Sequence, residues 1–448
     1  MPTIHLPSQL ASRAGVADVD VDAASVGDAI AALVAGHPPL VGWMTDEQGR
    51  LRPHVTVFVN DARAGLDTAL APSDRVYVVP AISGGRPEEA AGGEAVELLV
   101  GTRKGLFVLR GPRGGDLEIA DRAFIGQDVD FATVDRRSGT WLAGVSHGQY
   151  GPRVFRRLPG GDWEQTGGPA FPEDTGASVA RVWSIEPGEL PGQLWAGVAP
   201  AALFESRDDG ATWQLNRALW EVPSRPAWEG GAGGLALHSI CPWPGEPRRL
   251  AVGISAAGVW RTEDGGASWR WGVEGLVPRY VPEEARADTT MYCVHHRERS
   301  PRRPERLYMQ FHGGVYRSDD AGATWRDVGA GSGLPADFGF PLVADPDDAE
   351  GAWVIPLVAD VDRVTPEGRL RVYLTRDGGA AWQPLAHGLP QEDAWLTVLR
   401  QAFCHDGRSP LGLYFGATSG ELFASADAGA TWRTAARRLP PVLSVRAA

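Results

Sequence analysis

The sequence predicts a mainly β protein: a seven-bladed β-propeller preceded by a small α+β domain. Three observations carry this. The pattern Ser/Thr-x-Asp-x-Gly-x-(Thr/Ser/Ala)-Trp occurs five times, ending at Trp213, Trp269, Trp325, Trp382 and Trp432, at spacings of 56, 56, 57 and 50 residues. A period near 50 means a stack or ring of like units. Aromatic landmarks on a recurrent strand pattern, Phe107, Phe155, Phe204, Trp260, Tyr316, Tyr373 and Phe423, mark seven such units. The first 80 residues carry neither pattern and lead into Gly84-Gly85. The expected division is 1–85 for the front domain, 86–95 for a linker and 96–448 for the propeller.

In the front domain, Asp18-Val-Asp-Val-Asp22 alternates as a strand. Ser25 is an N-cap with Asp28 three residues on, opening a helix whose Val26, Ile30, Leu33 and Val34 share one face. Val55–Val59, ending in Asn60-Asp61, and Asp74–Val79 read as strands, with Leu70–Asp74 as a turn. Arg86-Pro-Glu-Glu-Ala-Ala-Gly-Gly-Glu94 is charged and rich in Pro and Gly, the composition of an exposed linker.

In the repeats, Leu250-Ala-Val-Gly253 leads to Gly-Val-Trp260-Arg-Thr262, and Leu307–Gln310 leads to Gly-Val-Tyr316-Arg-Ser318. Apolar residues alternate with small or polar ones, as half-buried antiparallel strands require. The motif is then the hairpin after a third strand: its Asp accepts turn N–H groups, its Gly takes positive φ, and its Trp opens the fourth strand. The first unit lacks an innermost strand, and Leu439–Arg446 reads as the missing one, closing the ring and removing open edges.

Formal charge is −13 with no basic block, which disfavours nucleic acid as a partner. No apolar run approaches the ~20 residues of a membrane span, and the first residues lack a signal-peptide pattern, so a cytoplasmic protein is expected. Cys241, Cys293 and Cys404 show no metal-ligand spacing, leave an odd one over and fit a reducing compartment. Lys104 is the only lysine.

The repeated motif resembles the Asp-box, or BNR, repeat of sialidases and sortilin-type receptors. The resemblance implies a structural role on the outer rim for Asp208, Asp264, Asp320, Asp377 and Asp427. It does not extend to sialidase activity, because the Phe/Tyr-Arg-Ile-Pro stretch carrying the first arginine of the sialidase triad is absent. The front domain, through Val57-Phe-Val-Asn60, the Leu70–Asp74 turn and Pro80-Ala-Ile-Ser-Gly-Gly85, resembles the MoaD/ThiS-type sulfur carriers of β-grasp (ubiquitin-like) fold, the molybdopterin-synthase small subunit in particular. That resemblance implies a functional tail, Gly84-Gly85. A MoeB-like adenylating enzyme activates the terminal carboxylate with ATP, and a thiocarboxylate follows; no intrinsic cofactor is implied. Here Gly85 is followed by Arg86, so cleavage by a JAB-type peptidase is required first.

Aligning the repeats on one another places Asp130, Trp183, His238, His295, Phe340 and Arg400 at one position of successive innermost strands. Arg103, Ser146, Ala199, Ser255, His312 and Thr418 form a second ring. Innermost strands line a propeller's channel. Arg103, Asp130, Trp183, His238, His295, His312, Phe340 and Arg400 are therefore the candidate ligand-binding residues. His238, His295, His312 and Arg400 are the candidates for catalysis; His238 and His295, with His312 near them, could ligate a metal or share a proton, and with no carboxylate pair placed beside them no metal is expected. Asp337–Phe340 and Trp228–Gly234 are expected to rim the pocket.

The reading is a sulfur-carrier-like module fused to a propeller that binds a small molecule or protein. Two alternatives stand beside it. One is a non-catalytic interaction scaffold. The other is a glycoside hydrolase-like or lyase activity in the channel.

Overall fold

The computed structural model describes residues 1–6, 10–11, 14–40, 44, 55–60, 62–80, 95–231, 233–288 and 290–448. The chain divides into two compact units, Met1–Gly92 and Gly93–Ala448.

The first unit is one sheet and a helix. Strands β1 (Thr3–His5), β2 (Asp18–Asp20), β3 (Val55–Val59), β4 (Ala62–Ala64) and β5 (Arg75–Pro80) lie in the order β2-β1-β5-β3-β4. Strand β1 runs parallel to β5, and the other pairs are antiparallel. This is the β-grasp arrangement, and its parallel central pair requires a crossover, here supplied by helix α1 (Val26–Gly36). The Ser25 hydroxyl caps α1 by accepting the Asp28 N–H at 3.2 Å. Val26, Ala29, Ile30 and Leu33 are the buried face, packed with Ile4, Val57, Val76 and Val78. Val34, expected on that face, is only half-buried, and Ala29 takes the inner position. Asn60 adopts φ 53° and its amide donates to Asp74 at 3.1 Å, tying the β3 turn to the start of β5.

The second unit is propeller-like. Five four-stranded sheets, each an antiparallel meander in chain order, begin at Asp128–Asp135, Arg181–Pro187, Leu237–Trp243, Val294–Arg299 and Gly339–Ala344. The last sheet has eight strands: the meander from Val398–His405 to Arg433–Ala436, then Val442–Ala447, Ala95–Thr102, Gly105–Pro112 and Glu118–Ala123. The first strands of successive meanders contact one another, and Val442–Ala447 contacts both Val398–His405 and Asp128–Asp135, so the circuit closes. The C-terminal strand pairs antiparallel with Ala95–Thr102, as its sequence suggested, and leaves that strand no open edge.

Between the sheets the core is aromatic: Trp195, Trp353, Tyr316, Phe204, Phe415 and Phe423 are among its fully buried side chains. Each such burial is worth about 1.5–3 kcal/mol. A buried ion pair joins the two ends of the unit. Arg113 Nε donates to Asp406 Oδ2 at 2.7 Å, and Asp406 also accepts the N–H groups of Arg408 and Gly412 and the Tyr414 hydroxyl. Burial pushes the Asp406 carboxyl up, but these donors outweigh it and hold it below the ordinary range.

The five repeated turns have one geometry. In the first, Ser206 Oγ donates to Asp208 Oδ1 at 2.8 Å and accepts the Gly210 N–H at 2.9 Å, while Asp208 accepts the N–H and hydroxyl of Thr212 at 2.9 and 2.6 Å. The same bonds recur around Asp264, Asp320 and Asp427. Asp377 makes the set without the last bond, because Ala381 has no hydroxyl. Each motif glycine has φ between 81° and 91°, which a side chain would strain. Three of the five tryptophans reach back to the preceding sheet: Trp269 Nε1 donates to Asn216, Trp325 Nε1 to the Gly272 carbonyl and Trp382 Nε1 to the Val328 carbonyl. All five carboxylates are consumed by their own turns.

Candidate functional site

The candidate channel residues share a backbone cause. Pairing of Asp128–Asp135 with its neighbour skips Asp130, and equivalent irregularities skip Trp183, His238 and His295. Longer irregularities contain Phe340 and Arg400. A β-bulge leaves one residue outside the ladder and re-aims its side chain. The C-terminal strand has the same bulge at Leu443, a position the sequence alignment of repeats did not reach. Its signal was the strand pattern alone, since Leu443 carries no polar group.

These side chains converge. The Arg400 guanidinium lies 5.1 Å from the ring centroids of both Trp183 and Phe340. Arg181 lies over Trp183 at 4.9 Å and pairs with Asp130 at 3.3 Å. Arg363 covers Phe340 at 5.4 Å. Burial pushes the Arg400 guanidinium down to about 10, which still leaves it charged at neutral pH. Burial raises the Asp130 carboxyl, opposed by Arg181 and by the Ser146 hydroxyl that donates to it at 2.5 Å. Arg103 does not join this cluster; its side chain is exposed and pairs with Asp128 at 3.2 Å. Trp228 does not line the rim either, being buried against Trp260 at 5.6 Å.

The histidines divide into two groups. His238 is saturated: Nε2 is 3.0 Å from the Val294 carbonyl, to which it donates, and Nδ1 is 3.1 Å from the Ser239 hydroxyl. It therefore has no nitrogen left to share a proton with His295. His295 Nδ1 donates to the Gly339 carbonyl at 2.6 Å, which fixes the tautomer and leaves Nε2 with its lone pair. Burial, reinforced by Arg400, pushes both rings well below the ordinary histidine range, so both are neutral. His312 meets His295 edge-on, ring centroids 5.2 Å apart, and its Nε2 lies 3.5 Å from Asp360. Cys293, expected from its sequence spacing to offer no metal ligand, joins them: one ligand atom each from Cys293, His295 and His312 lie within 4.8 Å of one another. The Cys293-x-His295 spacing was the available signal, but His312 arrives only by the following hairpin.

A second concavity, a cavity of about 430 Å³, is lined by Glu186, Cys241, Arg297, Glu298, His405 and Arg446 among others. Arg297 is 1% exposed, and none of its three guanidinium nitrogens has a hydrogen-bond partner among the described residues. Burial pushes the Glu186 carboxyl up to about 7, with Arg446 pulling it back. Nothing in the sequence distinguished Arg297 from its many surface arginines.

Gly84, Gly85 and the linker lie outside the described residues, which resume at Ala95.

Comparison with known proteins agrees with this division. A family model described as the ThiS family matches residues 4–85. Small archaeal modifier protein 1 of Haloferax volcanii is 42% identical over 74 residues, 16% of this chain and 84% of that protein. Its crystal structure matches at 39% identity over 19% of this chain and 98% of that one, with a TM-score of 0.18. A putative 6-phosphogluconolactonase from Bacteroides fragilis matches at 10% identity over 81% of this chain and all of that one, with a TM-score of 0.50, a likeness of fold alone. No helix among the described residues is long and apolar enough to cross a membrane. Through residues 4–85, the β-grasp unit and its Gly-Gly tail, this chain belongs to the ThiS family.

Proposed function

We propose that this chain is a sulfur-carrier-type module, made competent by cleavage after Gly85, fused to a seven-bladed propeller of Asp-box type that binds a small anionic ligand. One observation carries the carrier reading: the ThiS match runs to Gly85, while the chain continues through Arg86. The Gly85 carbonyl is an amide as the chain stands. Hydrolysis of the Gly85–Arg86 bond, by a peptidase of the JAB type, frees a carboxylate. A separate adenylating enzyme joins that carboxylate to AMP with release of pyrophosphate. Hydrosulfide sulfur then displaces AMP and leaves a thiocarboxylate. Two glycines suit this chemistry because a tail without Cβ atoms can enter a narrow catalytic channel.

The seven-blade reading is supported by the four-stranded meanders and by the pairing of the C-terminal strand with Ala95–Thr102. The Asp-box reading is supported by the shared hydrogen bonds of the five turns. An anionic ligand is favoured by Arg297, whose buried charge lacks a partner in the cavity. Intact-mass analysis of the protein from a cell that supplies activating and processing enzymes tests the carrier reading. The expected species is a fragment ending at Gly85, heavier by the exchange of oxygen for sulfur. Full-length chain alone would reject the carrier and favour the interaction scaffold, with the front unit as a docking domain.

A further inference from the structure

Three potential ligands of a soft or borderline metal meet at the Trp183–Phe340 end of the channel. Cys293 and His312 are held face to face by the backbone, since the His312 N–H donates to the Cys293 carbonyl at 3.0 Å. The Cys293 N–H donates to the Tyr280 hydroxyl at 2.7 Å, and the Tyr280 ring lies 4.3 Å from His312. His295 enters from its bulge, two residues beyond Cys293, with Nδ1 fixed on Gly339 and Nε2 free. Phe338 walls both imidazoles, at 5.0 and 5.3 Å.

We propose that Cys293 Sγ, His295 Nε2 and a ring nitrogen of His312 bind one zinc ion, with a fourth position open to the channel that takes an anion.

The donor set suits the metal. Thiolate and neutral imidazole are the usual zinc ligands, and three protein ligands with one open position is the pattern of reactive rather than structural sites. Bonds of about 2.0–2.3 Å put the ligands of a tetrahedral ion roughly 3.3–3.8 Å apart. The present spread is 4.8 Å, and binding requires the Cys293 and His312 side chains to close it by about 1 Å. The surroundings supply what ligating histidines require: a carbonyl on the far nitrogen of His295 and a carboxylate, Asp360, at His312. Charge then selects the fourth ligand. Zinc with one thiolate and two neutral imidazoles has a net charge of about +1, and Arg400 and Arg363 add to it, opposed by Asp360 at His312. An anion in the open position neutralises that excess. The site is independent of the carrier tail, and failure of either leaves the other standing.

The test uses the full chain, stripped with chelator and reloaded with zinc or cobalt(II). One bound equivalent is expected after desalting, and the cobalt form should show tetrahedral visible bands with a thiolate-to-cobalt charge-transfer band. Cys293→Ser should lose the charge-transfer band. His312→Ala, at a part-exposed ring, should weaken cobalt binding beyond the roughly 10–100-fold that loss of an outer partner costs, and Asp360→Asn should fall within that range. Azide should shift the visible bands. No bound equivalent in the unaltered chain overturns the proposal even if a variant misfolds. A charge-transfer band unchanged in Cys293→Ser overturns it too, and bands indifferent to azide overturn the open position.

Discussion

The Nε–H of Arg400 donates to the main-chain carbonyl of His295 at 3.1 Å, joining the sheet that begins at Val398 to the one that begins at Val294. The two strands are not neighbours in the circuit, so this bond spans the channel. A parallel link lies one residue on, where Gln401 Nε2 donates to the His238 carbonyl at 2.7 Å. The channel is thus cross-braced by side chains, and Arg400 does this while sandwiched between two aromatic rings. Arg400→Lys should cost about 1–2 kcal/mol in denaturant unfolding, because an ammonium replaces neither the planar stacking nor the fixed Nε donor. An unchanged midpoint would mean the brace carries no stability.

Arg297 predicts a trade between stability and binding. A buried guanidinium without partners is costly, and an apolar residue of similar volume is often better by about 1–4 kcal/mol. Arg297→Met should therefore raise the melting temperature in ligand-free buffer. It should also abolish the added stabilisation that inorganic phosphate gives the unaltered chain. Equal phosphate stabilisation in both proteins would remove Arg297 from the ligand site.

The turns predict an upgrade. Four copies have a Thr or Ser hydroxyl donating to the motif carboxylate, and only the Asp377 copy has alanine, at exposed Ala381. Ala381→Thr should add that bond and about 0.5–1 kcal/mol, read from thermal unfolding. Removing the carboxylate is the converse: Asp264→Ala should cost about 1–3 kcal/mol and leave cobalt binding unchanged. Hydrogen bonds from the Ser268 and Thr262 hydroxyls hold the Asp264 carboxyl low. Its contribution is therefore complete above about pH 4 and is lost as pH falls toward the folded pKa.

Two buried groups oppose each other in pH dependence. His238 is buried neutral, so the unfolded chain binds more protons below about pH 6.5, and stability falls as the solution is acidified. Glu186 has its carboxyl pushed up to about 7, so the folded chain holds the extra proton, and stability falls as pH rises from about 4.3 through 7. In unfolding free energy measured from pH 5 to 7, His238→Gln should flatten the rise with pH and Glu186→Gln should steepen it. The slope change for each is at most about 1.4 kcal/mol per pH unit. Matching slopes in all three proteins would contradict both assignments.

Removing residues 440–448 should cost roughly 4 kcal/mol or more and promote association. Val442 and Val445 are fully buried, and the Ala95–Thr102 strand would become an open edge. Size-exclusion chromatography with thermal unfolding reads both effects; a monomer of unchanged stability would mean the C-terminal strand does not close the sheet.

What the sequence determined by itself was everything that repeats or stays local. Ser206-x-Asp208-x-Gly210 folds from bonds within seven residues, so five copies announce five turns. The recurrence also located Asp130, Trp183, His238, His295, Phe340 and Arg400, because a bulge at a constant place in each repeat keeps its residue at a constant place in the count. Ser25 with Asp28 announced the helix start in the same local way. Tertiary structure decided which of these side chains meet. His238 spends both nitrogens on Val294 and Ser239, whereas Cys293, which showed no metal-ligand spacing, and His312, a candidate from the second ring, close on His295 across a hairpin. Arg103 turns out to Asp128, and the Arg297 guanidinium lines the cavity with no hydrogen-bond partner among the described residues. Such contacts depend on how each sheet packs against the next, and packing depends on side-chain volume and distance between residues some 20 to 160 positions apart, where no local pattern reaches.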